Sequence, residues 1–388
     1  MNDKRKVYRF LRYIALCFVT VLLFILGTVN IAAEGEEETV PGEYGDFIDS
    51  LDPSVTDKLP DSAFSSDPEE IEKAAKLLSD PQSVLSMMLS LLGDGIKNII
   101  PTLVIILGVV ILASLVTLIA SNCGGLSRSV EICIRLCTFC SISGVATYCV
   151  ESLSVYFERL FAAMTSFVPL SAALFAMGGN LNAAVTNSAS LGTVLAVCEF
   201  FFTKTAIPLF SVCLCLSLLS VFDGIGSVTG GSISARIRKW YMTALSFLTL
   251  IMTFAIAGSN LLASKADNLA MRGMKFAVSS FVPVSGGTLS STLGTLAASV
   301  EVLRGSVGVI GIAALLFLLL PTVIELALLR GVFAICGFCA SVLGCSGESK
   351  LLGELDSLYG FLEGLAALSA AVFVIALGIF SCVATPFS

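Results

Sequence analysis

Runs of about twenty apolar residues recur along this chain, and a run of that length is what a helix needs to cross a ~30 Å hydrocarbon core. Residues 99–121, 240–263, 306–329 and 364–385 are such runs, and across all four the only charged side chain is Glu325. Charged residues make up 13% of the 388, against about 25% in soluble domains, and mean hydropathy is +0.95. The fold class that follows is an all-α polytopic membrane protein with about six to eight transmembrane helices.

A short motif occurs twice. Residues 165–171 read T-S-F-V-P-L-S and residues 279–285 read S-S-F-V-P-V-S, identical at five of seven positions with an offset of 114. Basic side chains precede both copies, Arg159 before the first and Arg272 and Lys275 before the second. Pro208 and Pro321 follow, 113 apart and each inside an apolar run. A long fixed period with shared punctuation reads as a duplicated unit. Each unit opens with a crossing that follows Arg or Lys, so the two repeats are parallel rather than inverted. A proline inside a membrane helix frees a carbonyl that neighbours must satisfy. The motif prolines Pro169 and Pro283 therefore predict broken or re-entrant helices. Polar small-residue stretches come next, M-G-G-N-L-N-A-A-V-T-N-S-A-S at 177–190 and G-G-T-L-S-S-T-L-G-T-L-A-A-S at 286–299. They read as loops that either line an aqueous path or let helices pack closely.

The net charge of −7 is unevenly placed. Residues 34–96 hold sixteen acidic and three basic side chains, which leaves the remainder mildly basic. Nothing resembles a nucleic-acid footprint. Most of the thirteen cysteines sit in apolar runs, where Cys behaves as a small hydrophobe. The C-x-x-C pairs Cys137/Cys140 and Cys336/Cys339 lack the further ligands or βαβ setting of a metal or redox site. Histidine is absent, which removes His-Zn sites and His-assisted nucleophiles. There is no P-loop. No cofactor is implied, and the chain does not read as an enzyme.

In chain order, residues 1–33 join five basic side chains to an apolar run ending at Ala32-Ala33, as a signal peptide or an uncleaved signal anchor does. Either one exports the residues that follow. Residues 34–98 form an exported acidic segment, an extended linker to 66 and then two short helices opened by Asp67-Pro68 and Asp80-Pro81. Residues 99–125 hold the first mature crossing, 126–239 the first repeat, 240–352 the second and 353–388 a C-terminal crossing. Residues 347–363 read as a polar amphipathic break. Glu199, Lys204, Glu325 and Arg330 are the intramembrane charges, and such groups default to a functional role or a structural pair. Pro169, Pro283, Pro208, Pro321, Glu199, Glu325 and Arg330 are the structural or pore candidates.

The segment M-R-G-M-K-F-A-V-S-S-F-V-P-V-S-G-G-T-L at 271–289, continued by L-A-A-S-V-E-V-L-R-G-S-V-G-V-I-G-I at 296–312, resembles the stage III sporulation protein AE family. The plan of export signal, polar segment and polytopic body is similar as well. The resemblance implies a multi-pass protein of the mother-cell membrane around the forespore. It implies as partners the other stage III sporulation A proteins, including a separate ATPase, and stage II sporulation protein Q. Together these resemble a secretion-like channel between the two cells, within which this chain can also form a homo-oligomer. The competing reading is an autonomous ion-coupled secondary transporter, with Glu325 and Glu199 as coupling groups.

Overall fold

The computed structural model of the chain describes residues 41–65, 67–78, 81–121, 127–222, 230–281 and 286–382. The signal segment, residues 34–40 and Pro283 lie outside them. Every regular element among the described residues is helical, and six helical stretches are long and apolar enough to span a membrane. The chain is a multi-pass membrane protein.

Short pieces lead the chain: α1 (Gly42–Asp49), α2 (Pro53–Thr56), a 3₁₀ turn (Asp61–Phe64) and α3 (Pro68–Leu78). Their starts follow capping chemistry. Asp52 accepts from the Ser54 N–H ahead of Pro53, and Asp67 accepts from the Glu69 N–H at 3.1 Å ahead of Pro68. Residues 41–65 are therefore not the extended linker that their acidity suggested. Tyr44, Phe47 and Ile48 have the i, i+3, i+4 spacing of one helix face and are buried. The Tyr44 hydroxyl donates to the Ala63 carbonyl at 2.6 Å, Phe47 meets Phe167 edge-on at 5.6 Å, and Arg159 Nε lies 3.0 Å from Asp52 Oδ2. The acids face outward and the apolar minority docks the segment on the bundle.

The long helices are α4 (Pro81–Ser121), α5 (Ser127–Met177), α6 (Leu181–Cys198), a π-helical turn (Glu199–Thr205) that continues into α7 (Ala206–Phe222), α8 (Gly230–Phe281), α9 (Gly286–Val342) and α10 (Ser346–Cys382). α5 runs through Pro169 without a break. That proline is exposed, so neither its ring nor the freed carbonyl crowds the core. The break expected between 160 and 190 falls instead at Gly178–Asn180. There Gly179 takes φ 78° and the Asn180 N–H returns to the Phe175 carbonyl at 2.9 Å. Most of the polar stretch at 177–190 is consequently the start of α6, and the backbone of 286–299 is likewise helical within α9. The supposed break at 347–363 is the first half of α10.

Contacts fix which helix ends meet. The first residues of α6 bond to Asp267 near the end of α8, and Arg304 early in α9 sits over Phe175 at the end of α5. Residues 41–65 dock on that same end. The cluster Arg236, Arg238 and Lys239 opens α8 at the opposite, basic end.

α9 and α10 form the central hairpin. The most apolar windows of these two spans are 72% and 61% buried, against 17% for α4 and α8, so the latter form the outer layer. Glycines bring the pair together: a Cβ on Gly308 would lie 1.8 Å from the Ser381 hydroxyl and 3.1 Å from its Cβ, and one on Gly311 would lie 3.3 Å from Leu377. Gly308→Leu should destabilise the protein by about 1–3 kcal/mol through overpacking. Gly308→Ala should cost less because the Ser381 hydroxyl can rotate away. Melting of the detergent-solubilised protein reads this, and equal melting of the Leu variant and wild type would contradict the packing.

The docked segment also carries a pH dependence. Burial pushes the Asp52 carboxyl up, but hydrogen bonds from Ser54 and the charges of Arg159 and Lys58 outweigh burial and hold it below its ordinary value. A depressed folded-state value favours docking above the ordinary ~3.9 and loses that contribution as pH falls through the lower value. Protease protection of residues 41–65 should decline on acidification below about pH 4. In Asp52→Asn it should be weaker and should lose less on acidification.

Candidate functional site: polar groups inside the bundle

The interior of the bundle holds two polar clusters at different depths. Nearer the basic end, Arg330 of α9 is partly buried between two carboxylates of α10. Its Nε lies 3.0 Å from Asp356 Oδ1 and its Nη1 bonds Glu363. Asp356 and Glu363 are seven residues apart, so α10 presents both on one face, one turn on either side of Gly360. Gly360 lets the guanidinium lie close to the backbone, since a Cβ there would fall 3.0 Å from the guanidinium carbon and oblige it to shift by a few tenths of an ångström. Arg238 of α8 is 4% exposed and joins the same helix through Glu354 at 3.5 Å and Ser357 at 3.2 Å. Glu325, one turn beyond the exposed Pro321, accepts from the Ser152 hydroxyl of α5 at 3.3 Å. Deeper still, the Tyr156 hydroxyl reaches the Ala366 carbonyl at 3.1 Å and Ser369 at 3.2 Å.

Toward the other end the cluster is built of amides. Asn187 of α6 donates to the Ser171 hydroxyl of α5 at 2.9 Å and accepts from Asn260 of α8 at 2.9 Å, and all three are buried. Asp267 accepts from the Asn182 side chain at 2.8 Å and from the N–H groups of Asn182 and Ala183 at 3.1 and 2.8 Å. A carboxylate thereby meets the positive end of α6 and uses its orphan donors. Arg304 is fully buried, with its guanidinium carbon 5.0 Å from the Phe175 ring centroid and 5.9 Å from that of Phe380.

The sequence-predicted residues are not gathered into one site. Glu325 and Arg330 share α9 but bond to different neighbours, Ser152 on α5 and the carboxylates on α10. Glu199 is exposed and opens the π-helical turn, Lys204 is exposed near its end, and Pro208 follows within α7. Proline has no N–H and cannot continue the i→i−4 ladder, and the wider turn lies just upstream of it. Side chains satisfy the carbonyls of that turn: Tyr241 donates to Phe201 at 2.7 Å and Thr205 to Phe200 at 3.1 Å. Pro169 and Pro321 sit on exposed faces of unbroken helices.

Reading the sequence did not single out Asp356, Glu363, Glu354, Arg304 or the Asn187–Asn260 pair, and it took Arg238 only as part of a basic cytoplasmic cluster and Asp267 only as part of a charged segment. One signal was present, since Asp356 and Glu363 keep a seven-residue spacing inside a stretch that reads as polar throughout. Among the described residues no group of three or more His, Cys, Asp or Glu side chains converges as a metal site would require. Buried Cys149, Cys198, Cys213 and Cys336 are free thiols.

The family model for stage III sporulation protein AE matches residues 69–384, from α3 to beyond the end of α10. The chain belongs to this family. A member of the stage III sporulation protein AE family is a sporulation protein, and its matched region contains all six spans and both polar clusters. No curated protein and no solved structure matches the chain.

Removing Arg330 strands two carboxylates inside the bundle. Arg330→Met should destabilise by about 3 kcal/mol. The triple variant Arg330→Met, Asp356→Asn, Glu363→Gln should recover most of that loss. Denaturation of purified protein distinguishes the two, and a triple variant as unstable as the single one would show that Arg330 acts by packing rather than by charge.

Proposed function

We propose that the chain is a multi-pass, non-enzymatic subunit of a secretion-like channel linking mother cell and forespore, seated in the mother-cell membrane. Its partners are the other stage III sporulation A proteins, including the ATPase that supplies energy, and stage II sporulation protein Q. The family match across 69–384 is the observation that carries this reading. The structure supports it in a particular way. The central α9–α10 hairpin is tightly packed, whereas the apolar faces of α4, α6–α7 and α8 are largely uncovered by the chain itself. A passage built with this subunit accordingly runs between chains rather than through one. The basic opening of α8 faces the mother-cell cytoplasm on the positive-inside rule, so residues 41–78 lie on the forespore side, within reach of stage II sporulation protein Q.

Affinity purification of the full chain from sporulating cells tests the proposal. Recovery of the ATPase and ring-forming partners is the expected result, and repeated recovery of the chain alone counts against it. Glu325→Gln separates this reading from a transporter. It should leave sporulation largely intact, because an amide oxygen still accepts from Ser152. Abolished function with normal assembly would favour ion coupling.

A further inference from the structure

A groove of about 480 Å³ opens on the outer surface between α7 and α8, at the basic end of the bundle. Leu209 of α7 lines it with Ile237, Tyr241 and Ala244 of α8, so its walls are apolar. Two of its lining residues differ. Arg236 is exposed and charged, and Trp240, one turn further along α8, is 74% exposed. Lys239 is exposed beside them. The third basic residue, Arg238, points inward and is committed to Glu354 and Ser357. The sequence R-I-R-K-W thus divides its charge, with Arg238 serving the bundle and Arg236 and Lys239 left at the surface.

Depth along α8 orders these features. Trp prefers the boundary between headgroups and hydrocarbon. Between Lys239 and Lys265 α8 carries no charged side chain, and within that stretch the exposed apolar residues Phe247, Leu250, Phe254, Leu261 and Leu262 reach 22 residues beyond Trp240, about 33 Å, which is enough for one hydrocarbon thickness. Arg236 therefore stands at headgroup level, and the groove descends from it past Tyr241 to Ala244 among the acyl chains. A cavity that is cationic at the headgroup and apolar below it has the polarity profile of an anionic phospholipid. Basic pockets between helices on the cytoplasmic side hold lipid headgroups by this arrangement.

We propose that the α7–α8 groove is a binding site for an anionic phospholipid of the cytoplasmic leaflet, with Arg236 at its mouth holding the phosphate, Lys239 adding positive charge from the same turn of α8, and Leu209, Ile237, Tyr241 and Ala244 holding an acyl chain. The site also bears on the π-helical turn, because Tyr241 both lines the groove and donates to the Phe201 carbonyl.

The test uses the full chain in mixed bilayers of phosphatidylglycerol and phosphatidylcholine with matched acyl chains. Lipids retained after gentle extraction are counted by native mass spectrometry. Wild type should retain phosphatidylglycerol preferentially. Arg236→Gln should reduce that preference about five-fold, and the Arg236→Gln, Lys239→Gln double variant should remove it. Both residues are exposed, so melting of these variants should match wild type. Ala244→Trp should lower retention of both lipids by filling the deep end of the groove while leaving the charges in place. Equal retention of the two lipids by wild type would overturn the proposal, as would a preference unchanged in the double variant. Undiminished retention in Ala244→Trp would assign the lipid to the general annulus and overturn the groove.

Discussion

Arg330, a partly buried guanidinium in a membrane-spanning bundle, obtains counter-charge within a few ångströms from two carboxylates on the adjacent helix. This pairing shapes the centre of the molecule. Asp356 and Glu363 must lie on one face of α10, the bare Gly360 between them lets the guanidinium lie close to the backbone, and the two helices must be antiparallel at close range. The turn at residues 343–345 and the glycines at 308 and 311 meet those conditions. Charge burial alone rarely stabilises a fold, because desolvation offsets the attraction. Its effect here is to set register, since sliding α10 by one turn would leave Arg330 opposite only one of its two partners.

The same logic extends outward from the hairpin. Arg238 ties α8 to α10, Ser152 ties α5 to Glu325, and the Asn187–Asn260 pair ties α6 to α8. Polar bonds between helices act as connectors because lipid supplies no hydrophobic drive for association. Where these connectors are lacking, on the outward faces of α4 and α8, exposed Leu, Ile and Phe predominate. Those faces are suited to lipid or to neighbouring subunits.

Much of the architecture was legible before any coordinates. Runs of apolar residues marked the spans, since length and hydropathy alone decide whether a helix can cross. Asp67-Pro68 marked a helix start by local capping chemistry. The failures share a cause. Pro169, most of the polar stretch at 177–190 and the stretch at 347–363 were judged as isolated segments, in which proline or polarity argues against a helix. Inside the bundle, Pro169 faces outward, where its missing bond is tolerated, and the polar residues of 347–363 are needed by basic groups on other helices. The acidic lead segment failed in the opposite sense: its charge concealed the spaced Tyr44, Phe47 and Ile48 that dock it.

The order of residues by itself determined the class of solvent, the helical character of the spans and the basic end, because each depends on one segment and the bilayer. It also sufficed to place the chain among the stage III sporulation protein AE proteins. Which charges pair, where helices truly break and which faces stay uncovered were settled only by the tertiary structure. Those outcomes depend on side chains that lie tens to hundreds of residues apart, such as Arg330 with Glu363 or Ser152 with Glu325, and no local pattern encodes which distant helix will be the neighbour.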